Sequence, residues 1–190
     1  MRKLVLASGS PYRKQLLERL GLPFEVAVPH SDEAPLAGET PQETALRLSV
    51  LKARALQVAD ALVIGSDQVA SCEGERLDKP GSRDNAVRQL RKLSGKLAEF
   101  HTAVSLLDTR SDKVESRVVP CRVVFRTLTE ERIESYLRRE QPYDCAASAK
   151  AEGLGIALIA RIETDDPTSL IGLPLIALTG MLERAGLPVL

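Results

Sequence analysis

The 190-residue chain has no tryptophan, and its only aromatic residues are Tyr12, Phe24, Phe100, Phe125, Tyr136 and Tyr143. With 44% of residues hydrophobic, the core must be aliphatic, and a ring in an exposed loop calls for a reason. Cysteine is scarce as well. Cys72, Cys121 and Cys145 are odd in number and widely spaced, which makes neither a disulfide framework nor a CxxC metal clip. Free thiols fit a reducing compartment. His30 and His101 are the only histidines and lie far apart, so a histidine zinc site or a Ser-His-Asp triad lacks its second member. Any metal should then be a hard ion held by carboxylates. Charge of one sign is absent too: 26 Lys+Arg face 26 Asp+Glu, which argues against a sequence-independent nucleic-acid surface. No apolar run approaches the ~20 residues that cross a bilayer, and the N-terminal run is shorter than a signal-peptide core. The expected location is the cytoplasm, with no membrane and no nucleic-acid partner.

What is present alternates between strand and helix. Lys3–Ala7 reads as a strand ending in Ser8-Gly9-Ser10-Pro11, where Ser10 can cap a helix with Pro11 at its first position. That helix should run to Leu20 and stop at Gly21. Phe24–Val28 reads as a strand and Pro29–Glu39 as a polar loop carrying Asp32-Glu33. Thr40-Pro41-Gln42-Glu43 has capping-box form and predicts a helix to about Ala59. Ala61–Ser66 reads as a buried strand closed by Asp67, and Arg83–Leu93 as a helix ending at Ser94-Gly95. Ala98–Asp108 and Val114–Phe125 form a hairpin pattern around Thr109-Arg110-Ser111-Asp112. A helix near Glu130–Arg139, a strand over Gly155–Glu163 and a helix over Pro174–Ala185 complete the reading. The expectation is an α/β fold, a mixed sheet flanked by helices, in one domain over 1–190 with room for a lobe around the hairpin.

Five places could carry chemistry. The turn Ser8-Gly9-Ser10-Pro11-Tyr12-Arg13 offers backbone N–H groups, two hydroxyls and a guanidinium at a helix start, a setting that suits phosphate. An ordinary capped turn accounts for the same residues. Lys52 shares an apolar helix face with Ala45, Leu48, Ala55, Leu56 and Ala59, so its ammonium must snorkel out or meet an anion. Asp67, at the end of a core strand, sits where open α/β sheets place ligands, although Asp also caps turns. Asp32-Glu33 offers a second carboxylate and Lys79, in Asp78-Lys79-Pro80-Gly81, another cation. Carboxylates for a hard ion, with lysines to balance phosphate charge, are what metal-assisted phosphoryl chemistry requires. The small-residue stretch Ala146–Gly153, with Lys150 and Glu152, reads as a solvated loop on spacing alone.

Taken together, these segments resemble the Maf-like nucleotide pyrophosphatase family. The resemblance runs through Leu6–Arg13, Ser31-Asp32-Glu33, Leu51-Lys52-Ala53, Ile64–Val69, Asp78-Lys79-Pro80, Lys150–Gly153 and Leu170–Leu175. It implies hydrolysis of a nucleoside triphosphate to monophosphate and diphosphate with a divalent metal (Mg²⁺ or Mn²⁺). It also implies an elongated, twisted mixed sheet with a central substrate cleft, similar to inosine-triphosphatase folds, often in a homodimer. On the matching positions, Asp67, Lys79 and Lys52 would be catalytic, with Asp67 and Glu33 at the metal. Ser8, Ser10, Arg13, Lys52 and Lys79 would hold the phosphates. Tyr12, Gln68 and Glu152 resemble the branch acting on 7-methyl-GTP, not the UTP and dTTP branch, which typically has Arg, Thr and Gln there. That branch commonly has Trp in place of Tyr12 and Gly-Ser-Phe-Lys in place of Ala147-Ser148-Ala149-Lys150. The other readings the resemblance allows are a Maf-type enzyme for canonical pyrimidine nucleotides (UTP, dTTP or CTP) and a non-catalytic nucleotide-binding inhibitor of septum formation.

Overall fold

The computed structural model describes residues 2–34 and 36–190; Pro35, within the predicted polar loop, lies outside them. The described residues form seven strands and five helices. In chain order these are β1 (Lys3–Ala7), α1 (Pro11–Glu18), β2 (Glu25–Ala27), α2 (Pro41–Arg54), β3 (Ala61–Cys72) and β4 (Glu75–Arg76). There follow α3 (Arg83–Leu93), β5 (Leu97–Asp108), β6 (Lys113–Phe125), α4 (Glu130–Glu140), β7 (Ile159–Glu163) and α5 (Leu175–Arg184). The strands make one mixed sheet ordered β2-β1-β3-β5-β6-β7, with β4 paired to β3. β1 runs parallel to both β2 and β3, whereas β4 on β3 and β7 on β6 are antiparallel.

The chain divides into two compact units. One comprises the chain through Gln68, Thr102–Val119 and Asp166–Leu190; the other comprises Val69–His101 and Pro120–Asp165. In the first, the period-two alternation of β1 and β3 builds two apolar layers. Leu4, Leu6, Leu62 and Ile64 face Leu16 and Leu17 of α1 and Leu178, Met181 and Leu182 of α5. Val5, Ala7, Ala61 and Val63 face Ala53 of α2. Each fully buried leucine contributes about 1.5–3 kcal/mol, so aliphatic side chains carry most of this core, with Phe24 packed at its margin. In the second unit, Phe100, Phe125 and Tyr136 are buried.

Local signals account for most element starts. Ser10 caps α1 and Thr40 with Glu43 closes a reciprocal capping box on α2. Four expectations are corrected. α1 stops at Glu18, two residues short of Leu20, because Arg19 and Leu20 turn tightly back onto Leu16 and Leu17. α2 ends at Arg54, not Ala59, because the chain must reverse through Asp60, at φ 51°, to enter β3. β3 does not close at Asp67 but continues to Cys72, its further residues Val69–Cys72 being buried and Ser71-Cys72 pairing with β4. The predicted strand from Gly155 begins only at Ile159, because Gly153 and Gly155 both donate backbone bonds to the Lys150 carbonyl, and 154–158 coil as a 3-10 turn.

Candidate active site

The first cluster begins with a glycine in a strand. A Cβ on Gly65 would lie 2.0 Å from the Ser49 carbonyl oxygen and 2.7 Å from the Ala53 nitrogen. Both are backbone atoms, so only glycine lets α2 settle this closely on β3. The approach brings Lys52, on the buried face of α2, to Asp67: Lys52 Nζ donates to Asp67 Oδ1 at 2.6 Å. The same ammonium lies 2.8 Å from Glu33 Oε2. Lys52 and Asp67 side chains are 8% and 10% exposed, whereas Glu33 is 51% exposed. The lysine predicted on the apolar face thus meets anions and does not snorkel out. Glu33 is held by its loop, in which Asp32 Oδ1 accepts the Ala34 amide and Arg47 Nη2 donates to the Ala34 carbonyl. Glu39 grips Arg47 in turn, and that ion pair pulls its carboxyl down to about 2.

Asp67 lies inside β3, but the register explains why it still sits at a strand edge. β1 ends at Ala7, opposite Gly65, so Asp67 projects two residues beyond the carboxyl end of the parallel strands. Next along β1 comes the turn of Ser8. Ser8 Oγ accepts from the Ser10 amide at 3.1 Å and from Arg13 Nη1 at 3.5 Å, while Ser10 Oγ accepts the Arg13 amide as helix cap. Arg13 Nε donates to the Gly172 carbonyl at 2.8 Å, and Ser66 Oγ donates to the same oxygen at 2.9 Å. Burial pushes the Arg13 guanidinium below its ordinary value, and Asp67 and Glu33 oppose that shift. Even lowered, an arginine stays charged. Gln68 spends its amide nitrogen on the fold, donating to Thr102 Oγ1, Ser169 O and Leu170 O at 2.9–3.1 Å. Tyr12 is half-buried on the first turn of α1.

The second unit holds Lys79 and Glu152. Lys79 is exposed on a turn whose backbone is fixed by α3. Gln89 Nε2 donates to the Asp78 carbonyl at 2.8 Å and Asn85 Nδ2 to that of Pro80 at 2.7 Å. The Asp78 carboxylate is taken by Arg76. Glu152 is exposed in the segment after Ala147-Ser148, two buried non-glycine residues with φ of 59° and 54°. Such backbone costs about 1–3 kcal/mol per residue and persists only where surroundings enforce it. Here they do: Ser148 Oγ donates to Gln89 Oε1 at 2.5 Å, and Tyr136 Oη donates to Ser148 O and accepts from Lys150 N. The segment read as a solvated loop is therefore anchored. Although Glu152 is exposed as a residue, partial desolvation of its carboxyl raises it above its ordinary value, against a smaller lowering by its own backbone and Lys150.

A family model described as Maf-like protein matches residues 3–185. The chain belongs to the Maf-like family. Among its relatives, a 7-methyl-GTP pyrophosphatase from Cupriavidus pinatubonensis is 57% identical over 98% of this chain and 94% of its own. Proteins of the same name from Thiobacillus denitrificans and Cupriavidus metallidurans are 58% and 54% identical, over 98% and 97% of this chain and 94% of each relative. Among solved structures, a Staphylococcus aureus Ham1 protein aligns at TM-score 0.46 and 18% identity, over 65% of this chain and 72% of its own.

In this Maf-like chain the structure brings Lys52, Asp67 and Glu33 into direct contact, with Ser8, Ser10 and Arg13 in the same unit. Lys79 and Glu152 belong to the other unit. Three residues support the site in ways the sequence expectations above do not include. Gly65 carried a signal, since glycine inside a strand marks a close backbone approach. Gly172 anchors Arg13, and Arg47 anchors the Glu33 loop; both act over long chain separations. Among the described residues no three His, Cys, Asp or Glu side chains gather as metal ligands. Two carboxylates nevertheless fit Mg²⁺ or Mn²⁺, which are commonly held by one or two carboxylates with water and substrate phosphates completing the shell.

Proposed function

We propose that the chain hydrolyses 7-methyl-GTP to 7-methyl-GMP and diphosphate, removing a modified nucleotide in the cytoplasm, as a homodimer. One observation carries the chemistry: a buried ammonium held between two carboxylates beside a hydroxyl and guanidinium turn. The relatives' shared name, at 54–58% identity over nearly the whole chain, supports the substrate.

Asp67 is the proton acceptor for the attacking water. Lys52 takes Oδ1 of Asp67 and Oε2 of Glu33; an ammonium has three protons, so one remains for a phosphate oxygen. Lys52 thereby fixes the acid and balances charge that grows on the phosphates. Glu33 and Asp67 would hold the divalent ion, which, when bound, neutralises phosphate charge and polarises the P–O bonds. Arg13, Ser8 and Ser10 bind the phosphates, with Arg13 oriented by the Gly172 carbonyl. Lys79 is a further phosphate ligand on its fixed turn. Tyr12 offers a π face to the cationic 7-methylguanine, an attraction of about 0.5–2 kcal/mol. Glu152 accepts the guanine N1–H and N2–H₂ donors. The amide nitrogen of Gln68 is engaged, so any reading by that residue falls to its carbonyl oxygen.

A diphosphate-release assay with Mg²⁺ or Mn²⁺ across 7-methyl-GTP, GTP, UTP, dTTP and CTP tests the proposal. The expected result is the highest kcat/KM for 7-methyl-GTP. A preference for pyrimidine triphosphates would reassign the substrate, and metal-independent binding without release would make the chain a nucleotide binder.

A further inference from the structure

Glu140 is a carboxylate at the wrong end of a helix. It is the last residue of α4, where the dipole disfavours negative charge, and its side chain is only 11% exposed. Its two oxygens clasp the segment that carries Glu152. Oε1 lies 3.0 Å from Lys150 Nζ and Oε2 accepts the Leu154 amide at 2.6 Å. Between those points the backbone lies against the carboxylate: a Cβ on Gly153 would come 2.7 Å from Oε2 and 2.9 Å from Cδ. Glu152 is thus flanked on both sides by residues tied to one acid. The Leu154 amide is also the main reason the Glu140 carboxyl lies below its ordinary value, ahead of Lys150.

We propose that Glu140 is a positioning residue for base selection, setting where Glu152 stands by holding Lys150 and Leu154 on either side of it. A glutamine keeps the size of the side chain but loses the charge for Lys150 and one of the two acceptor oxygens, so the turn relaxes and Glu152 with it. The inference rests on the reading of Glu152 as the base-recognising acid. It makes Glu140 neither a phosphate ligand nor a proton carrier, so the loss should fall on discrimination between bases.

The test measures diphosphate release from 7-methyl-GTP, GTP and UTP by the unmutated protein, Glu140→Gln, Glu152→Gln and the double variant. The unmutated protein's own preference tests the proposed function. The change in preference on substitution tests this inference, whichever base is favoured. Glu140→Gln should lower the kcat/KM ratio between the favoured base and the others about tenfold, the scale of one charge-assisted hydrogen bond. The loss should lie in KM for the favoured nucleotide, with kcat within about twofold. The double variant should add little to Glu152→Gln, as expected for residues acting through one another. Gly153→Ala guards against misfolding of Glu140→Gln: it keeps the acid but displaces its flexible end, and should cause the same loss. An unchanged ratio in Glu140→Gln and Gly153→Ala, an equal loss on all three nucleotides, or additive effects in the double variant would overturn the inference.

Discussion

The two halves of the candidate chemistry are built in opposite ways. Lys52 and Asp67 stand on a regular helix and a regular strand, brought together by backbone contact at Gly65. Glu152 stands on irregular backbone, with two left-handed non-glycine residues upstream, held in shape by side chains of α3 and α4. Regular elements fix reacting groups to within the tolerance catalysis needs. A side-chain-clasped turn can change its reader without disturbing the sheet. The contrast fits the proposed division, in which the first region sets the rate and the second the choice of base.

The largest effect expected is on the first region. Asp67→Asn should lower kcat by about 10²- to 10⁴-fold, the scale of a lost general base, on every nucleotide alike and with the melting transition retained. An Asp67→Asn protein that changes base preference at normal rate would erase the contrast. Gly65→Ala comes next. Its methyl meets backbone atoms of α2 at 2.0 and 2.7 Å, so the helix must shift, at a cost of about 1–3 kcal/mol as in other overpacked cores. Urea unfolding should show that loss, and the separation of Lys52 from Asp67 should lower kcat as well. Full activity with full stability would show that the close approach is dispensable.

Acid gives the smallest and most discriminating effect, because Glu152 in the turn and Glu140, which clasps the turn from α4, shift in opposite directions. Glu152 is raised from its ordinary 4.5, mainly by desolvation; it gains its proton above that pH, and protonation relieves a cost of the folded state. Glu140 is lowered from 4.5, so its stabilisation is present above the ordinary value and is lost only as pH falls through the depressed one. On acidification, base preference should fade before the fold weakens. Preference measured by competition and stability measured by thermal melting over the same pH series check this order. Loss of stability first would mean that Glu152 is not the reader.

Local chemistry made much of this legible. Ser10 and Thr40 announced their helices because caps act within three residues, and the hairpin around Thr109–Asp112 followed from strand periodicity. Lys52 was identifiable because helical spacing put a charge on an apolar face, a conflict that only a partner resolves. Asp67 misled as a terminator: a polar pair, Asp67-Gln68, interrupts the apolar pattern while the strand runs on to Cys72. The 144–155 turn stayed opaque because its shape comes from Gln89, Tyr136 and Glu140, residues whose link to it is spatial. Gly172 was visible as a motif residue, but its service to Arg13 and Ser66 spans more than a hundred residues and leaves no local trace.

In the proposed reaction the acid–lysine cluster delivers water to the α-phosphorus of a nucleoside triphosphate. Turnover of 7-methyl-GTP in oxygen-18 water, with both products analysed by mass spectrometry, tests it most directly. The label should appear in 7-methyl-GMP and be absent from diphosphate. Label in diphosphate would place the attack on the β-phosphorus and contradict the account.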